Sequence, residues 1–333
     1  MKIDIYTHIV TPRYLEALMK KNPALDGKMV QTMRSVKSLT DLDERFRVMD
    51  KHPEVAQVLV LGGNSIDRAV KPEDADELCR IANDEMAELV DKYSSRFVGA
   101  VASLPMADID MALRETDRCI KTLKMKGIRL FTDVRGEPID QPQFRLLYQK
   151  MSEYDLPIWL HPSKPNSEPD YVGEKGSRYM ACMFFAWPYQ TTLAMNRLVF
   201  SGIMEDFPRI KIITHHCGAM VPSFAARIEG LYDYNLALFH GEGFERQLKK
   251  PALEYFRQFY TDTMTWGSLP ALTCGYSFFG AERILFGTDM PYDDELGVRV
   301  TRDTIQAIEK MEIGDHEKTQ IFVGNAKKLL KYR

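Results

Sequence analysis

Of the seven histidines in the 333 residues, four stand where short apolar runs give out. His8 ends KIDIYTH, His161 ends LPIWLH, and the pair His215-His216 ends IKIITHH. Asp289 follows RILFGT in the same way, and Gly62-Gly63 follow VAQVLVL. Imidazoles and a carboxylate brought together from separate strands make the donor set of a divalent metal site. Asp289 would serve there as a metal ligand or in proton transfer, because a bare carboxylate after so apolar a strand needs a partner. Successive side chains on a regular strand alternate between faces, so only one of His215 and His216 should reach such a site, leaving the other to pack or support.

The remaining histidines, His52, His240 and His316, have no strand-end position and read as solvated or capping residues. Cys217 reads as a small buried hydrophobe rather than a nucleophile. Asp293 and Asp294 read as solvated loop acids. Arg45 and Arg47, spaced on RFRVMD, could clamp a carboxylate.

Such residues need a scaffold that delivers strand ends to one place. Eight runs rich in Val, Ile, Phe and Tyr recur: KIDIYT, VAQVLVL, RFVGAVASL, GIRLFT, LPIWLH, IKIITH, QFYTDT and RILFGT. Helix-periodic segments separate them, among them ADELCRIANDEMAELVDKYSS and TTLAMNRLVFSG, the latter stopped by Gly202. This alternation predicts an α/β protein, a (β/α)8 TIM barrel forming one domain over residues 1–333, with chemistry at the C-terminal strand ends. A doubly wound sheet is the competing arrangement, but no GxGxxG or GxxxxGK[ST] follows any strand. An aromatic-rich insert is expected at about residues 164–192, where Phe184, Phe185, Trp187 and Tyr189 would line a pocket mouth for a planar substrate or cover a core or dimer surface.

Composition narrows the partners. With 44 basic against 47 acidic residues, a net charge of -3 and no long run of like charge, neither a nucleic-acid arm nor a polybasic membrane anchor is expected. A small molecule is the expected partner. The uncharged stretch 179–196 contains Pro188, Gln190, Thr191 and Thr192, so it reads as a pocket-lining segment rather than a membrane span. Five cysteines without CxxC spacing suit reduced thiols, and Asp4 in the opening MKIDIYTHIV argues against a cleaved secretory signal, so a cytoplasmic protein is expected.

The sequence resembles the amidohydrolase superfamily, and within it the branch of aminocarboxymuconate-semialdehyde decarboxylase and the related resorcylate, carboxyvanillate and isoorotate decarboxylases. The resemblance is carried by IDIYTH, RFRVMDKHPEVAQVLVL, WLHP, the block 187–222 (WPYQTTLAMNRLVFSGIMEDFPRIKIITHHCGAMVP) and FGTDMPY, and so spans nearly the whole chain. It implies that His8 is the second histidine of a first-strand HxH, that His161 is the fifth-strand ligand and that Asp289 is the eighth-strand aspartate. His216 heads an H-x-G-x-x-x-P pattern, which implies that it, rather than His215, faces the site and takes part in catalysis. Arg45 matches an arginine that binds a substrate carboxylate, and Arg227 one supplied by a neighbouring subunit, which implies a homodimer. Tyr6 stands where the family has His or Glu. Phenolate ligation, a hydrogen bond to substrate or metal-bound water, and simple space-filling are its three readings. No lysine ends GIRLFT, which leaves a mononuclear site for one divalent ion, zinc or manganese.

The implied activity is non-oxidative decarboxylation of an aromatic or unsaturated carboxylic acid. Asp289 would be the proton donor, His216 would orient, and Arg45, Arg227, Trp187 and Tyr6 would contact substrate. Two alternatives stand beside it. One is a metal-dependent hydrolase or hydratase acting on a lactone, amide or double bond through activated water. The other is a metal-free binding protein, against which stands the cost of burying His8, His161, His216 and Asp289 unpaired.

Overall fold

A run that is apolar on both faces persists as a strand only where helices cover one face and its own sheet closes over the other. In the computed structural model, which describes residues 1–23, 31 and 33–332, all eight runs are strands of this kind. They are β1 (Lys2–Ile9), β2 (Val55–Leu61), β3 (Phe97–Val101), β4 (Ile128–Phe131), β5 (Ile158–His161), β6 (Ile212–Thr214), β7 (Tyr260–Asp262) and β8 (Ile284–Leu285). Parallel pairing links β1 to β2 to β3, and β4 through β8 in chain order. Parallel bridges between Ala102 and Ile128 and between Thr7 and Met290 join the two sheets at both edges. The result is a closed parallel TIM barrel.

Alternation sorts the strand residues into two cores. Ile3, Ile5, Val58, Val60, Trp159, Ile213 and Leu285 fill the inside, where the Trp159 indole donates to the Ile5 carbonyl at 3.0 Å. The larger outer core packs the opposite strand faces against helices that include α1 (Pro12–Lys21), α2 (Leu42–Met49), α3 (Pro72–Lys92), α4 (Ile109–Lys121), α5 (Arg145–Tyr154), α6 (Trp187–Phe200), α7 (Val221–Phe239), α8 (Leu269–Phe279) and α9 (Val298–Lys310). Local signals set their ends. The Asp41 carboxylate accepts from the amides of Asp43 and Glu44 at 2.9 and 3.1 Å and starts α2. Gly202 follows α6 at φ +81°, where a side chain would also collide with the Arg246 guanidinium.

The segment after β5 is irregular over residues 162–180 and enters α6 through a π-helical turn, Cys182–Ala186. Asp170 ties it down, accepting from Lys164 Nζ at 2.9 Å, Ser177 Oγ at 2.8 Å and the Arg178 amide at 3.1 Å. Downstream, α7 buries only Val221 and Tyr232 and leaves Phe224, Leu231, Tyr234 and Leu238 facing outward. Among the described residues no helix is long and apolar enough to cross a membrane.

Candidate metal and active site

The C-terminal strand ends bring Tyr6 and His8 from β1, His161 from β5, His215 and His216 from just beyond β6, and Asp289 from just beyond β8 into one buried cluster. His8 Nε2 lies 3.0 Å from Asp289 Oδ1, and His215 Nε2 lies 3.4 Å from the same oxygen. The His161 ring sits 5.4 Å from that of His8 and 5.5 Å from that of His215. Ligating atoms of His215, His216 and Asp289 fall within 4.8 Å of one another.

Each member is held from behind. His8 Nδ1 faces the Leu61 carbonyl at 3.3 Å and His161 Nδ1 faces the Pro162 carbonyl at 2.6 Å. A carbonyl only accepts, so both Nδ1 atoms carry the proton and both Nε2 atoms keep a lone pair. Asp262, ending β7, accepts from His215 Nδ1 and from the amides of Cys217 and Met264, each at 3.0 Å, which fixes the His215 ring. Asp4 joins β1 to β8: it accepts from the Tyr6 and Thr288 amides, both at 3.1 Å, and from the Thr288 hydroxyl. The Asp289 amide then donates to the Tyr6 carbonyl at 2.9 Å. Gly287 allows this crowding, since a Cβ there would meet Asp262 Cβ at 2.9 Å and Tyr6 Cβ at 3.3 Å.

Burial and mutual repulsion keep most of the imidazoles neutral. His161 is held well below its ordinary range by burial and by His8 and His215, and burial likewise lowers His8. Burial and the neighbouring His215 push His216 down to about 3. For His215 burial also opposes charge, but Asp262 and Asp289 outweigh it and raise the group to about 10. Burial would raise Asp289, yet His215 and His8 hold it well below the usual carboxylate range. The cluster thus has one proton-borne positive charge between two carboxylates, ringed by neutral nitrogens.

One expectation, that only one of His215 and His216 reaches the site, needs correction. β6 ends at Thr214, and His216 and Cys217 adopt φ of +59° and +55°, so strand alternation stops before the pair. Both histidines therefore reach the site: His215 Nε2 meets Asp289 at 3.4 Å, and His216, its ring 3.8 Å from that of His215 and its Nδ1 buried and unpartnered, also brings a ring nitrogen within 4.8 Å of Asp289. Arg45 has its Nε and Nη1 engaged by protein oxygens and its Nη2 buried without a partner. It is fully buried and donates to the His8 carbonyl at 2.6 Å, the Ser38 carbonyl at 3.3 Å and Gln57 Oε1 at 2.9 Å, which makes it a brace under the end of β1.

The other sequence-derived residues are placed as follows. Tyr6 is wholly buried, stacks on His215 at 4.1 Å, and has no partner for its hydroxyl; burial and Asp262 push the phenol well above its ordinary range. Trp187 approaches the His161 ring at 6.3 Å and donates to the Lys164 carbonyl at 2.9 Å. Phe184, Phe185 and Tyr189 are exposed, and Arg227 lies exposed on α7 outside the cluster. Cys217 is buried, and burial raises its thiol, consistent with packing. Sequence reading passed over Asp262 and Arg129. Asp262 carries the same strand-end signal as Asp289, and Arg129 occupies an inward position of β4.

The amidohydrolase family pattern matches residues 3–332. This chain belongs to the amidohydrolase family. Gamma-resorcylate decarboxylase of Polaromonas sp. strain JS666 is 30% identical over 342 residues, covering 99% of this chain and 98% of that protein. The 2-amino-3-carboxymuconate-6-semialdehyde decarboxylase of Dictyostelium discoideum is 25% identical over 355 residues, covering 99% and 91%. The crystal structure of a dihydroxybenzoic acid decarboxylase from Polaromonas sp. JS666, with bound manganese and the inhibitor 2-nitroresorcinol, superposes with a TM-score of 0.76 at 27% identity over 99% of this chain and 96% of that one. These relatives are carboxy-lyases by name.

The donor chemistry of this amidohydrolase fits one divalent ion. His8 Nε2 and His216 Nδ1 are buried with no aligned hydrogen bond, a costly state for two nitrogens unless something accepts their lone pairs. A proton already occupies the place between His215 and the carboxylates that a cation would take over. Neutral imidazole and carboxylate are ligands that both manganese and zinc accept.

Proposed function

We propose that this chain is a metal-dependent, non-oxidative decarboxylase of an aromatic or unsaturated carboxylic acid. The observation that carries the reading is the approach of His8 Nε2 and His215 Nε2, at 3.0 and 3.4 Å, to a single oxygen of Asp289 at the C-terminal end of the barrel. His8, His161, His215 and Asp289 would hold one ion, manganese or zinc, with His215 taking the place that Tyr6 does not fill. When bound, such an ion supplies a concentrated positive charge for the oxygens of an anionic substrate.

The chain's own groups do the rest. Asp289 gives the proton that replaces CO2 on the carbon, so that carboxylate plus proton becomes the shortened product plus CO2. For this, burial, which favours the protonated carboxyl, must prevail over the positive charge nearby. His216, neutral and facing Asp289 from the β6 side, orients the substrate. Trp187 offers a ring face beside His161 for stacking on a planar acid. Tyr6 packs against His215 and limits its movement. The apolar outer face of α7, with Arg227 beside it, supports a homodimer in which Arg227 serves the neighbouring site. Five unpaired cysteines suit a reducing cytosol.

The test is product analysis in 18O-labelled water, using manganese-loaded protein and 2,6-dihydroxybenzoate as the first acid of a panel. The expected result is one CO2 released per organic product, with no 18O in that product. Labelled organic product without CO2 would replace this reading with hydrolysis or hydration.

A further inference from the structure

The loop that leads away from His161 is fastened to itself rather than to the barrel. Between residues 165 and 180 no residue is buried, and none joins a hydrophobic core. The chain closes on its own ends instead. The Ser177 amide donates to the Asn166 carbonyl at 2.8 Å, and a Cβ at Gly176 would stand 2.9 Å from that same oxygen. Asp170 gathers Lys164, Ser177 and the Arg178 amide around this ring. A compact surface loop of this kind keeps its own shape while few contacts fix its position.

The neck of the loop is pinned. Gln190 Oε1 accepts from the Ser163 and Lys164 amides at 3.0 and 2.7 Å, and the Lys164 carbonyl accepts from Trp187 Nε1 at 2.9 Å and Cys182 Sγ at 3.0 Å. Above the neck the exit runs through Tyr179 and Met180, left-handed at φ +54° and +58°, into the π-helical turn. Two consecutive residues with side chains in that region make a strained bend, suited to a hinge. With the chain outside residues 161–190 the loop makes one hydrogen-bonded contact among the described residues, Glu168 Oε1 with Arg68 Nη1 at 2.8 Å. Arg68 is anchored in turn, its Nη2 lying 2.6 Å from Asp133 beyond β4. The Glu168 side chain is 44% exposed, so water weakens the pair and it can part. Between this loop and the turns after β2 and β4 lies a cleft of about 520 Å³, bordered by Asn64, Arg68, Arg135, Pro165 and Ser167.

We propose that residues 165–180 form a flap at the barrel mouth, latched by the Glu168–Arg68 pair, whose release admits ions and small molecules to the strand-end site. His8, His161, His215 and Asp289 are each less than a tenth exposed, so whatever reaches them passes the loops that ring the mouth. Of the proposed function this takes only the place of the site, not the reaction. A latch that is made equally in the empty and the loaded protein sets the rates of entry and exit and leaves the equilibrium between them unchanged.

The experiment compares the parent with Glu168→Gln, both loaded with manganese. Trypsin cleavage at the exposed Lys175 and Arg178, and hydrogen exchange across residues 165–180, report the flap; manganese loading and its release to a chelator report the gate. Cleavage and flap exchange should rise about two- to fivefold in Glu168→Gln, with Tm and exchange of the barrel strands unchanged. Sodium chloride at about 1 M should produce the same rise in the parent and none in the variant. Manganese should enter and leave the variant faster by one common factor, at an unchanged Kd. Cleavage and exchange that do not change, an acceleration spread over the whole barrel, or a shifted manganese Kd at unchanged rates overturns the flap while leaving the decarboxylase reading in place. A parent that holds no manganese removes that reading, and the flap is then decided by cleavage and exchange.

Discussion

At the ends of β1, β6, β7 and β8, polar side chains are locked by partners far away in the chain: Asp4 to Thr288, His215 to Asp262, His8 to Asp289. Along the outer face of α7 and through residues 171–189, the opposite holds, and Tyr171, Val172, Tyr179, Phe185, Leu231 and Leu238 stand in solvent with at least half their surface exposed. The difference separates two tasks. Strand ends fixed by parallel pairing on both sides can hold charges to within a fraction of an ångström, as chemistry requires. A surface of unpartnered aromatic and aliphatic side chains holds nothing rigidly and gains most by being covered.

The contrast can be broken from either side. Asp262→Asn leaves the size of the His215 partner unchanged but removes its charge, and is expected to weaken manganese binding by about 10- to 100-fold without altering the oligomeric state. Titration with a competing metal indicator, alongside sedimentation, checks both halves. Loss of assembly in this variant would show that centre and rim are not separable. The converse change is Leu231→Ser with Leu238→Ser on α7. It should weaken self-association about tenfold or more while manganese stoichiometry stays at the parental level.

The smallest effect is a pH dependence that sharpens the picture of the centre. His215 is raised from 6.5 to about 10 in the folded protein, so its contribution to stability is complete below pH 6.5 and is lost as pH rises toward 10. Asp4, raised to about 7, and the unfolded thiols, half ionised near about pH 8.5, add losses of the same sign at the lower and upper ends of that range. Between these limits the metal-free protein should lose on the order of 1 kcal/mol per pH unit, read as a falling denaturant midpoint. Manganese should flatten that slope, because the ion displaces the proton in question.

Much of this architecture was legible in the residues. Each strand run carried enough β-branched and aromatic residues to mark it, and His8, His161 and Asp289 stood at run ends, where a barrel must bring them together. The His215-His216 pair was harder. Alternation holds only while the strand lasts, and the left-handed backbone at His216 cannot be inferred from two identical residues in a row. Asp262 stayed hidden because its meaning comes from β7 lying beside β6, a pairing that reaches 45 positions back along the chain to the Cys217 amide. Arg45, expected at a substrate carboxylate, instead donates to oxygens of His8, Ser38 and Gln57, and only the three-dimensional arrangement of those acceptors shows it.

The most direct test of the account is the manganese stoichiometry and affinity of the purified chain, by elemental analysis and electron paramagnetic resonance, in the parent, in His215→Ala and in Tyr6→Ala. About one tightly held ion per chain is expected in the parent and in Tyr6→Ala, with binding lost or sharply weakened in His215→Ala. An ion that persists without His215 and disappears without Tyr6, or no ion in the parent at all, would contradict the site described here.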